Sequence, residues 1–454
     1  MTKTKLPIFT IVASSIVALG GFLFGYCSSV ISGAILFVSN QLNLTTFDQE
    51  MIVSVLLIGA LIGAFIGGTL ADRFGRKYTM FITTFFFLFG TVFLFVGDSM
   101  VELLIGRFIT GLGIGIASVV VPLYIAEISP PKHRGALVSL NQLAITIGIL
   151  IAYLVDYLLA EDALWHEMFG FGFIPAIFLF IGLFFVPETP SFLASKGKKE
   201  KAIKVFERFK LAYEEKEVFK EAEKPKEIVR WSHLLDKAIR PALYIGLGLS
   251  IFQQITGINT VIYYSPRIFQ FSGLTSATAA TLATLGVGII NVIMTILALW
   301  LIDKLGRRIL LIIGLIGMVI SLGTLGMAFH LSSAHHISQE WVGIIAVVTL
   351  MSYISFFAIS LGPVAWLIIS EIYPLGIRGR AMGIAIFANW VSNYFVSLTF
   401  LTLLEHLGTT GTFFLYAVIG LFALWFVLRR VPETKGKTFE EIQKFWKKGP
   451  KEMI

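Results

Sequence analysis

The sequence has few charged residues and a single cysteine. Charged side chains make up 14% of the 454 residues, whereas soluble domains contain about 25%, so the composition argues against a soluble fold. Cys27 has no cysteine partner, which excludes an intrachain disulfide and any multi-cysteine metal site. The seven histidines lack the spacing of a zinc protease. We therefore predict neither a metal site nor a cofactor.

Long apolar runs predict an all-α membrane protein. A helix needs about 20 mostly apolar residues to cross a bilayer. Twelve runs approach or exceed that length: 8–39, 51–71, 79–97, 101–127, 136–159, 168–186, 241–270, 277–302, 308–330, 341–370, 381–404 and 411–429. The first run resembles a signal peptide, but it continues past Leu36 without a small-residue cleavage site, so we interpret it as a retained helix.

The distribution of basic residues predicts the topology. Lys and Arg concentrate in alternate loops, whereas the loops at 40–50, 160–167 and 331–340 contain neither. The positive-inside rule then places both termini in the cytoplasm of a multi-pass plasma or inner membrane protein. The net charge of +8 is thus a topology signal and predicts no nucleic-acid partner.

Three motifs occur twice, in the same order. The pairs are 71–77 with 302–308, 124–135 with 369–379, and 186–189 with 431–434. They indicate a parallel repeat of two six-helix halves. The predicted domains are an N-terminal half at 1–187, a cytoplasmic helical linker at 188–240, a C-terminal half at 241–430 and a cytoplasmic tail at 431–454. The linker could alternatively be a regulatory or partner-binding domain.

The repeated motifs place acids and guanidinium groups at predicted cytoplasmic helix ends. Arginine can bind a carboxylate, or the last carbonyls of a helix, in a bidentate way. We therefore predict a cytoplasmic gate that holds the halves together and breaks when this side opens; the alternative is that the basic residues only enforce topology. The predicted gate residues are Asp72, Arg73, Arg76, Glu127, Arg134, Glu188, Asp303, Arg307, Arg308, Glu371, Arg378 and Glu433.

The ordered motifs resemble the sugar porter branch of the major facilitator superfamily over the whole chain. This branch includes GLUT-type hexose facilitators and bacterial xylose and hexose proton symporters. The segments that carry the resemblance are 72–77, 303–308, 122–135, 187–191, 253–259, 362–366 and 432–436. The resemblance implies a major facilitator fold of twelve transmembrane helices and alternating-access transport of a hexose, pentose or cyclic polyol.

Neutral polar residues deep in the predicted spans are candidate sugar ligands. Polar groups in membrane spans face an interior cavity by default, and amides both donate and accept hydrogen bonds, as sugar hydroxyls do. Alternatively, buried amides only hold helices together. The resemblance implies the same positions as sugar ligands. The predicted substrate-binding residues are Gln142, Gln253, Gln254, Asn259, Asn291, Trp366, Asn389, Trp390 and Asn393.

Glycine and proline residues predict interrupted helices around this site. Gly257 and Pro266 indicate a break in span seven, and Gly362-Pro363 indicates one in span ten. Interrupted helices around a midplane site are typical of transporters. Tyr263 and Tyr264 correspond to gate aromatics by resemblance.

Cys27 is the main departure from the proton-coupled members, which carry Asp at this position. At about 1.5 Å per residue, Cys27 and Arg107 should both lie in the outer half of the membrane. A thiol is a poor proton carrier near neutral pH, so the sequence favours facilitated diffusion, with proton symport as the alternative. Asp156 is either a coupling carboxylate or merely interfacial. Phe192 stands where the family has Arg, which weakens one predicted pairing of Glu188.

The spans contain no cluster of nucleophile, base and orienting group, so we predict no enzymatic activity. A transporter-like sugar sensor is a further alternative, although it would be expected to carry a longer cytoplasmic tail than the segment after Arg430. The expected partners are a small sugar and the lipid bilayer, and the chain is expected to work as a monomer.

Overall fold

The computed structural model describes residues 7–211, 218–219, 239–373, 375–437 and 441, except for the side chains of Asp303 and of residues 375–377. Regular structure in this part of the chain is α-helical, as predicted. The helices are α1 (Ile8–Ser29), α2 (Ile31–Gln41), α3 (Thr46–Phe74), α4 (Arg76–Val96), α5 (Met100–Ile128), α6 (Arg134–Leu159), α7 (Trp165–Gly170), α8 (Phe173–Phe185), α9 (Pro190–Ser195), α10 (Lys199–Phe209), α11 (Arg240–Ile255), α12 (Ile258–Phe271), α13 (Ala277–Leu305), α14 (Arg307–Ser333), α15 (Gln339–Ala358), α16 (Leu361–Glu371) and α17 (Leu375–Arg430).

The described helices supply the twelve predicted spans. Eleven segments are long and apolar enough to cross a membrane. The last, Arg378–Arg430, has 53 residues, or about 80 Å at 1.5 Å per residue, against a hydrocarbon core of about 30 Å. It bends at Gly408, whose φ is 68°. This one helix therefore accounts for spans eleven and twelve.

The chain forms two compact units. One comprises the described parts of Met1–Val30, Val55–Val155 and His166–Glu227; the other comprises those of Ile31–Ser54, Asp156–Trp165 and Ile228–Ile454. The first unit therefore holds α1, and the second holds α2. The domain boundaries given above remain predictions.

The described part of the predicted linker is helical. Helix α10 buries Ala202, Phe206 and Phe209 along one face, and the guanidinium of Arg208 lies 3.8 Å from the ring centroid of Phe9 in α1. This stretch therefore packs onto the first helix of its own unit. Linker residues 212–217 and 220–238, and tail residues 438–440 and 442–454, lie outside the described residues.

Two predicted helix breaks are present. Span seven is interrupted at Gly257, whose φ is 94°, and span ten is interrupted at Ser360, just before Gly362-Pro363. The break in span seven lies at Gly257 and not at Pro266, because α12 continues through that proline. Span one also breaks at Val30 and span six at 171–172, and neither break was predicted.

We predict that Gly257→Ala lowers stability by about 1–2 kcal/mol, because left-handed backbone is costly for a residue with a Cβ. That Cβ would also lie 3.1 Å from Cδ1 of Tyr416. Thermal unfolding in detergent measures the effect. Gly323→Ala in α14 is the control, because nothing lies within 4 Å of its added methyl group. Equal melting temperatures for the two variants would contradict the prediction.

Candidate substrate site, gates and coupling positions

Four predicted substrate residues form one amide cluster in the second unit, three of them buried and Asn259 half-buried. Gln253 and Gln254 lie on α11, Asn259 on α12 and Asn389 on α17. The exposed fractions of Gln253, Gln254 and Asn389 are only 4–6%. The break at Gly257 separates the two glutamines from Asn259. On an unbroken helix these three side chains would point in different directions. The break allows them to meet.

The amides of this cluster bind one another. Asn259 Nδ2 donates to Gln254 Oε1 at 2.6 Å, and Gln254 Nε2 donates to Asn389 Oδ1 at 3.1 Å. Asn389 Nδ2 donates to Gln253 Oε1 at 2.7 Å. The four side chains therefore form a connected donor and acceptor network, and each bond in it could be exchanged for a bond to a hydroxyl.

A second broken helix anchors the cluster. Gln253 Nε2 donates to the backbone carbonyl oxygens of Leu361 and Gly362, at 2.7 and 3.2 Å. These residues form the first turn of α16, immediately after the break in span ten. Trp366 lies one turn further along the same helix, half-buried. One amide thus joins the two interrupted spans of this unit.

The other predicted substrate residues are placed less directly. Asn393 is buried one turn after Asn389 and accepts a hydrogen bond from Ser397 Oγ at 3.1 Å. Trp390 is buried beside Asn389 in sequence. Asn291 is buried on α13, and its side chain makes no hydrogen bond with the described residues. Gln142 is half-buried on α6, in the first unit. Substrate binding by these last two residues remains a prediction.

The predicted gate aromatics lie on α12. Tyr263 and Tyr264 are both buried. The Tyr264 hydroxyl donates to the backbone carbonyl of Ser397 in α17 at 3.0 Å, and its ring lies 5.2 Å from that of Phe400. Tyr264 therefore ties α12 to α17 beyond the amide cluster. Gating by these tyrosines remains a prediction.

The gate motif of the first unit is an ion-pair network. The Arg76 guanidinium binds Glu127 at 2.9 Å and Asp72 at 3.4 Å, and its Nη1 donates to the carbonyl of Ala71. Glu188 accepts from the backbone N–H groups of Arg76 and Lys77 at 3.0–3.3 Å. The Glu188 carboxylate thus caps the N-terminus of α4, where backbone donors lack helical partners.

The second unit repeats this arrangement. Arg307 binds Glu371 at 3.2 Å and donates to the carbonyl of Ile302. Glu433 accepts from the backbone N–H groups of Arg307 and Arg308 at 2.9 and 3.0 Å, which caps α14. The side chain of Asp303 lies outside the described residues. The sequence repeat is therefore also a repeat of hydrogen-bond geometry.

Other predicted gate arginines bind carbonyls. Arg134 Nε donates to Ala126 at 3.1 Å, and Arg378 donates to Tyr373 at 3.2–3.3 Å. Arg308 Nη2 donates to the carbonyl of Leu428 at 2.8 Å. These bonds, and the ion pairs above, lie within single units, so a gate that joins the two halves remains a prediction.

Two aromatic contacts complete the first gate network. Phe192, at the position where the family has Arg, lies under the Arg76 guanidinium, with 5.6 Å between the guanidinium carbon and the ring centroid. Arg73 lies 5.3 Å from the ring of Phe74. An apolar ring therefore accompanies Arg76 where the family pattern would add a second cation.

The capping acids differ in their electrostatics. Burial raises the pKa of Glu188 above its ordinary value, although three backbone N–H groups oppose the change. Burial also acts on Glu433, but the backbone N–H groups bound to it outweigh burial and lower its pKa. The fold thus favours the charged form of Glu433 and disfavours that of Glu188.

Arg107 and Cys27 are in contact in the first unit. Arg107 is 1% exposed and Cys27 5% exposed. Arg107 Nη1 donates to the backbone carbonyl of Cys27 at 2.6 Å, close to the break at Val30. The guanidinium therefore binds a neutral carbonyl at the position where coupled family members present a carboxylate.

Asp156 is buried near the C-terminal end of α6, and both alternatives for its role remain predictions. Its side chain is 1% exposed, and Oδ2 accepts from Ser32 Oγ at 3.2 Å and from the Gly33 N–H at 2.9 Å. These donors belong to the first turn of α2, which begins only because span one breaks at Val30. The sequence could not reveal this environment without the break.

Several contacts at the predicted outer end of the second unit were not predicted. Glu50 is fully buried and accepts from Thr402, at 2.8 Å from its N–H and 2.7 Å from its hydroxyl. Arg267 donates to Ser39 at 2.8 Å and to Gln49 at 3.1 Å. Glu50 falls in the predicted loop 40–50, so its burial had no signal in the hydropathy pattern.

Twelve apolar spans, repeated gate motifs and a buried cluster of neutral amides define a membrane transporter of small polar solutes. Residues 13–446 match the family described as "Sugar (and other) transporter", and the chain belongs to this family. The chain is 40% identical to the D-xylose transporter of Levilactobacillus brevis over 432 residues, covering 94% of this chain and 93% of that one. It is 36% identical to the galactose-proton symporter of Escherichia coli strain K12 over 440 residues, covering 96% and 94%.

The fold is also that of a solved sugar transporter. The structure matches the xylose transporter XylE from E. coli, in a partially occluded inward-open conformation, with a TM-score of 0.81 at 35% identity. The match covers 95% of this chain and 99% of XylE. These similarities confirm the predicted sugar porter branch of the major facilitator superfamily. They also confirm that the chain is a membrane transporter and not an enzyme.

We predict that Glu433→Gln lowers the melting temperature at neutral pH more than Glu188→Gln does. The lowered pKa of Glu433 means that its charge stabilises the fold above the ordinary carboxyl pKa, and this contribution is lost as pH falls through the lowered value. The raised pKa of Glu188 means that its neutral form is favoured, so a neutral amide costs less. Thermal unfolding of both variants over a pH series tests this. A larger loss for Glu188→Gln would contradict the assignment.

Proposed function

We propose that the chain carries a neutral monosaccharide or cyclic polyol across the membrane by alternating access, as facilitated diffusion. The observation that supports this substrate class is the cluster of four neutral amides, three of which are buried. An anionic substrate would call for Lys or Arg, whereas each amide offers two donors and one acceptor oxygen to hydroxyls. Buried polar side chains in membrane spans mark substrate pathways by default.

The cluster is suited to exchange its internal bonds for bonds to a sugar. The 2.6 Å bond between Asn259 Nδ2 and Gln254 Oε1 pairs a donor with an acceptor, so these two atoms do not incur the cost of unsatisfied polar groups. A sugar that replaces this bond must supply both a donor and an acceptor, as vicinal hydroxyls do. Trp366 and Trp390 would cover the apolar face of the ring.

We predict that Gln254→Ala or Asn259→Ala raises the half-saturation concentration for sugar about 5- to 150-fold, because each loss leaves a sugar hydroxyl unpaired at about 1–3 kcal/mol. Radiolabelled counterflow in proteoliposomes, with D-xylose, D-glucose and D-galactose as probes, measures this value. The matched control is Gln270→Ala, near the other end of α12. Unchanged half-saturation in both cluster variants would remove them from the site.

The same assay tests the proposed function itself. Saturable counterflow with at least one probe supports a carrier. Retention of a single bound equivalent, without saturable flux, would instead indicate a sugar-binding protein that does not transport.

Cys27 supports facilitated diffusion. Proton-driven accumulation requires a group whose proton affinity differs between the two facing states and is linked to sugar binding. The Arg107 guanidinium donates to the backbone carbonyl of Cys27, and neither group exchanges a proton near neutral pH. In a coupled carrier, the contact between position 27 and Arg107 would link protonation to conformation. In this chain, position 27 carries no titrating acid.

Proton symport is the alternative, and Asp156 favours it. This carboxylate is buried, and its Oδ1 has no hydrogen-bond partner among the described residues. A free, buried carboxylate oxygen is a place where a proton could bind. The relative from E. coli is a galactose-proton symporter, which supports the same alternative.

We predict strong counterflow but no accumulation above equilibrium when an inward-acid pH gradient is imposed on proteoliposomes. Cys27→Asp, compared with Cys27→Ser, should introduce pH-dependent affinity, because the new carboxylate lies beside Arg107. Uphill accumulation by the unaltered protein would overturn facilitated diffusion. Loss of that accumulation in Asp156→Asn, with counterflow intact, would identify Asp156 as the coupling group.

Two further features belong to this proposal. The positive-inside rule supports cytoplasmic N- and C-termini, and the gate networks then lie on the cytoplasmic side. Both six-span halves belong to one chain, which supports function as a monomer.

A further inference from the structure

The break in span seven leaves backbone groups that need partners. Helix α11 ends at Ile255, Thr256 is its C-cap, and Gly257, with left-handed backbone, is the N-cap of α12. The last carbonyls of a helix have no intrahelical donor, and an unpaired carbonyl within a membrane is costly. Thr256 is fully buried, so its carbonyl needs a partner from the protein.

Tyr353 supplies one of these partners. Its side chain is 0% exposed, and its hydroxyl donates to the Thr256 carbonyl at 2.9 Å. Tyr353 lies on α15, the first segment of the other interrupted span in this unit. The bond thus connects the bend in span seven to a neighbouring helix.

The carbonyl that Tyr353 binds lies between the two halves of the amide cluster. Gln254 precedes Thr256 by two residues and Asn259 follows it by three, and their side chains are joined at 2.6 Å. A rotation of α12 about the break would move Asn259 relative to Gln254. The separation of these two amides therefore depends on how the break is held.

We propose that Tyr353 is a positioning residue for sugar binding, which rests on the carrier function proposed above. Its hydroxyl fixes α11 and α12 at the angle that lets Gln254 and Asn259 bind the same sugar. Tyr353 acts through the backbone of Thr256 and does not itself contact the substrate.

The test is a double-mutant cycle of Tyr353→Phe and Asn259→Ala. Tyr353→Phe keeps the ring and removes only the hydroxyl, so we expect the half-saturation concentration for counterflow to rise about 2- to 10-fold. The maximal exchange rate should change less than about twofold. In the Asn259→Ala background the same substitution should have little further effect, because the amide that it positions is absent.

The matched control is Tyr416→Phe. The Tyr416 ring also lies against this break, beside Gly257, but its hydroxyl has no hydrogen-bond partner among the described residues, so its removal should leave half-saturation unchanged. Thermal unfolding of each variant distinguishes a loss of sugar affinity from a loss of folded protein. Unchanged half-saturation in Tyr353→Phe, or full additivity with Asn259→Ala, would overturn this inference alone. Absence of counterflow with every probe sugar in the unaltered protein would overturn the proposed function and this inference with it.

Discussion

The constraint on which this structure depends is that backbone polar groups within a membrane must find partners inside the protein. An intact helix satisfies them by itself, but a broken helix does not. At Gly257 and Ser360 the chain interrupts two spans, and side chains bind the backbone beside both breaks. Tyr353 donates to the Thr256 carbonyl at the first break, and Gln253 donates to the carbonyls of Leu361 and Gly362 in the first turn after the second. The breaks and the amide cluster are therefore connected, because an amide of the cluster holds the helix start that follows the second break.

The same constraint explains the repeated acids at the predicted cytoplasmic helix ends. A helix N-terminus presents unpaired N–H groups and a partial positive charge. Glu188 and Glu433 occupy that position on α4 and α14 in their respective units. Arg76 and Arg307, the first residues of these helices, reach back to a second acid. The charged residues that form a repeated motif in the sequence thus have two structural roles. One acid caps the start of a helix, and the first arginine of that helix forms an ion pair with a second acid.

Predictions from the sequence were correct for features that depend on residue type. They failed for features that depend on backbone conformation. Span positions, the breaks at Gly257 and near Gly362, and the buried amides follow from hydropathy, glycine and neutral polar residues. The break at Val30 carries no glycine or proline signal, so neither the start of α2 nor the burial of Asp156 against it could be foreseen. The capping roles of Glu188 and Glu433 were missed for a related reason, since their partners are backbone N–H groups, which no sequence motif displays.

The buried carboxylates limit how a proton gradient could act on this protein. The two carboxyl oxygens of Glu50 accept from the N–H and the hydroxyl of Thr402. Asp156 accepts its two hydrogen bonds at Oδ2, and its Oδ1 has no partner among the described residues. Of these two acids, Asp156 is therefore the one with an oxygen to which no donor is bound. Coupling through the pair at positions 27 and 107 would need an acid where this chain has cysteine, so the proton-symport alternative rests on Asp156, against the first turn of α2.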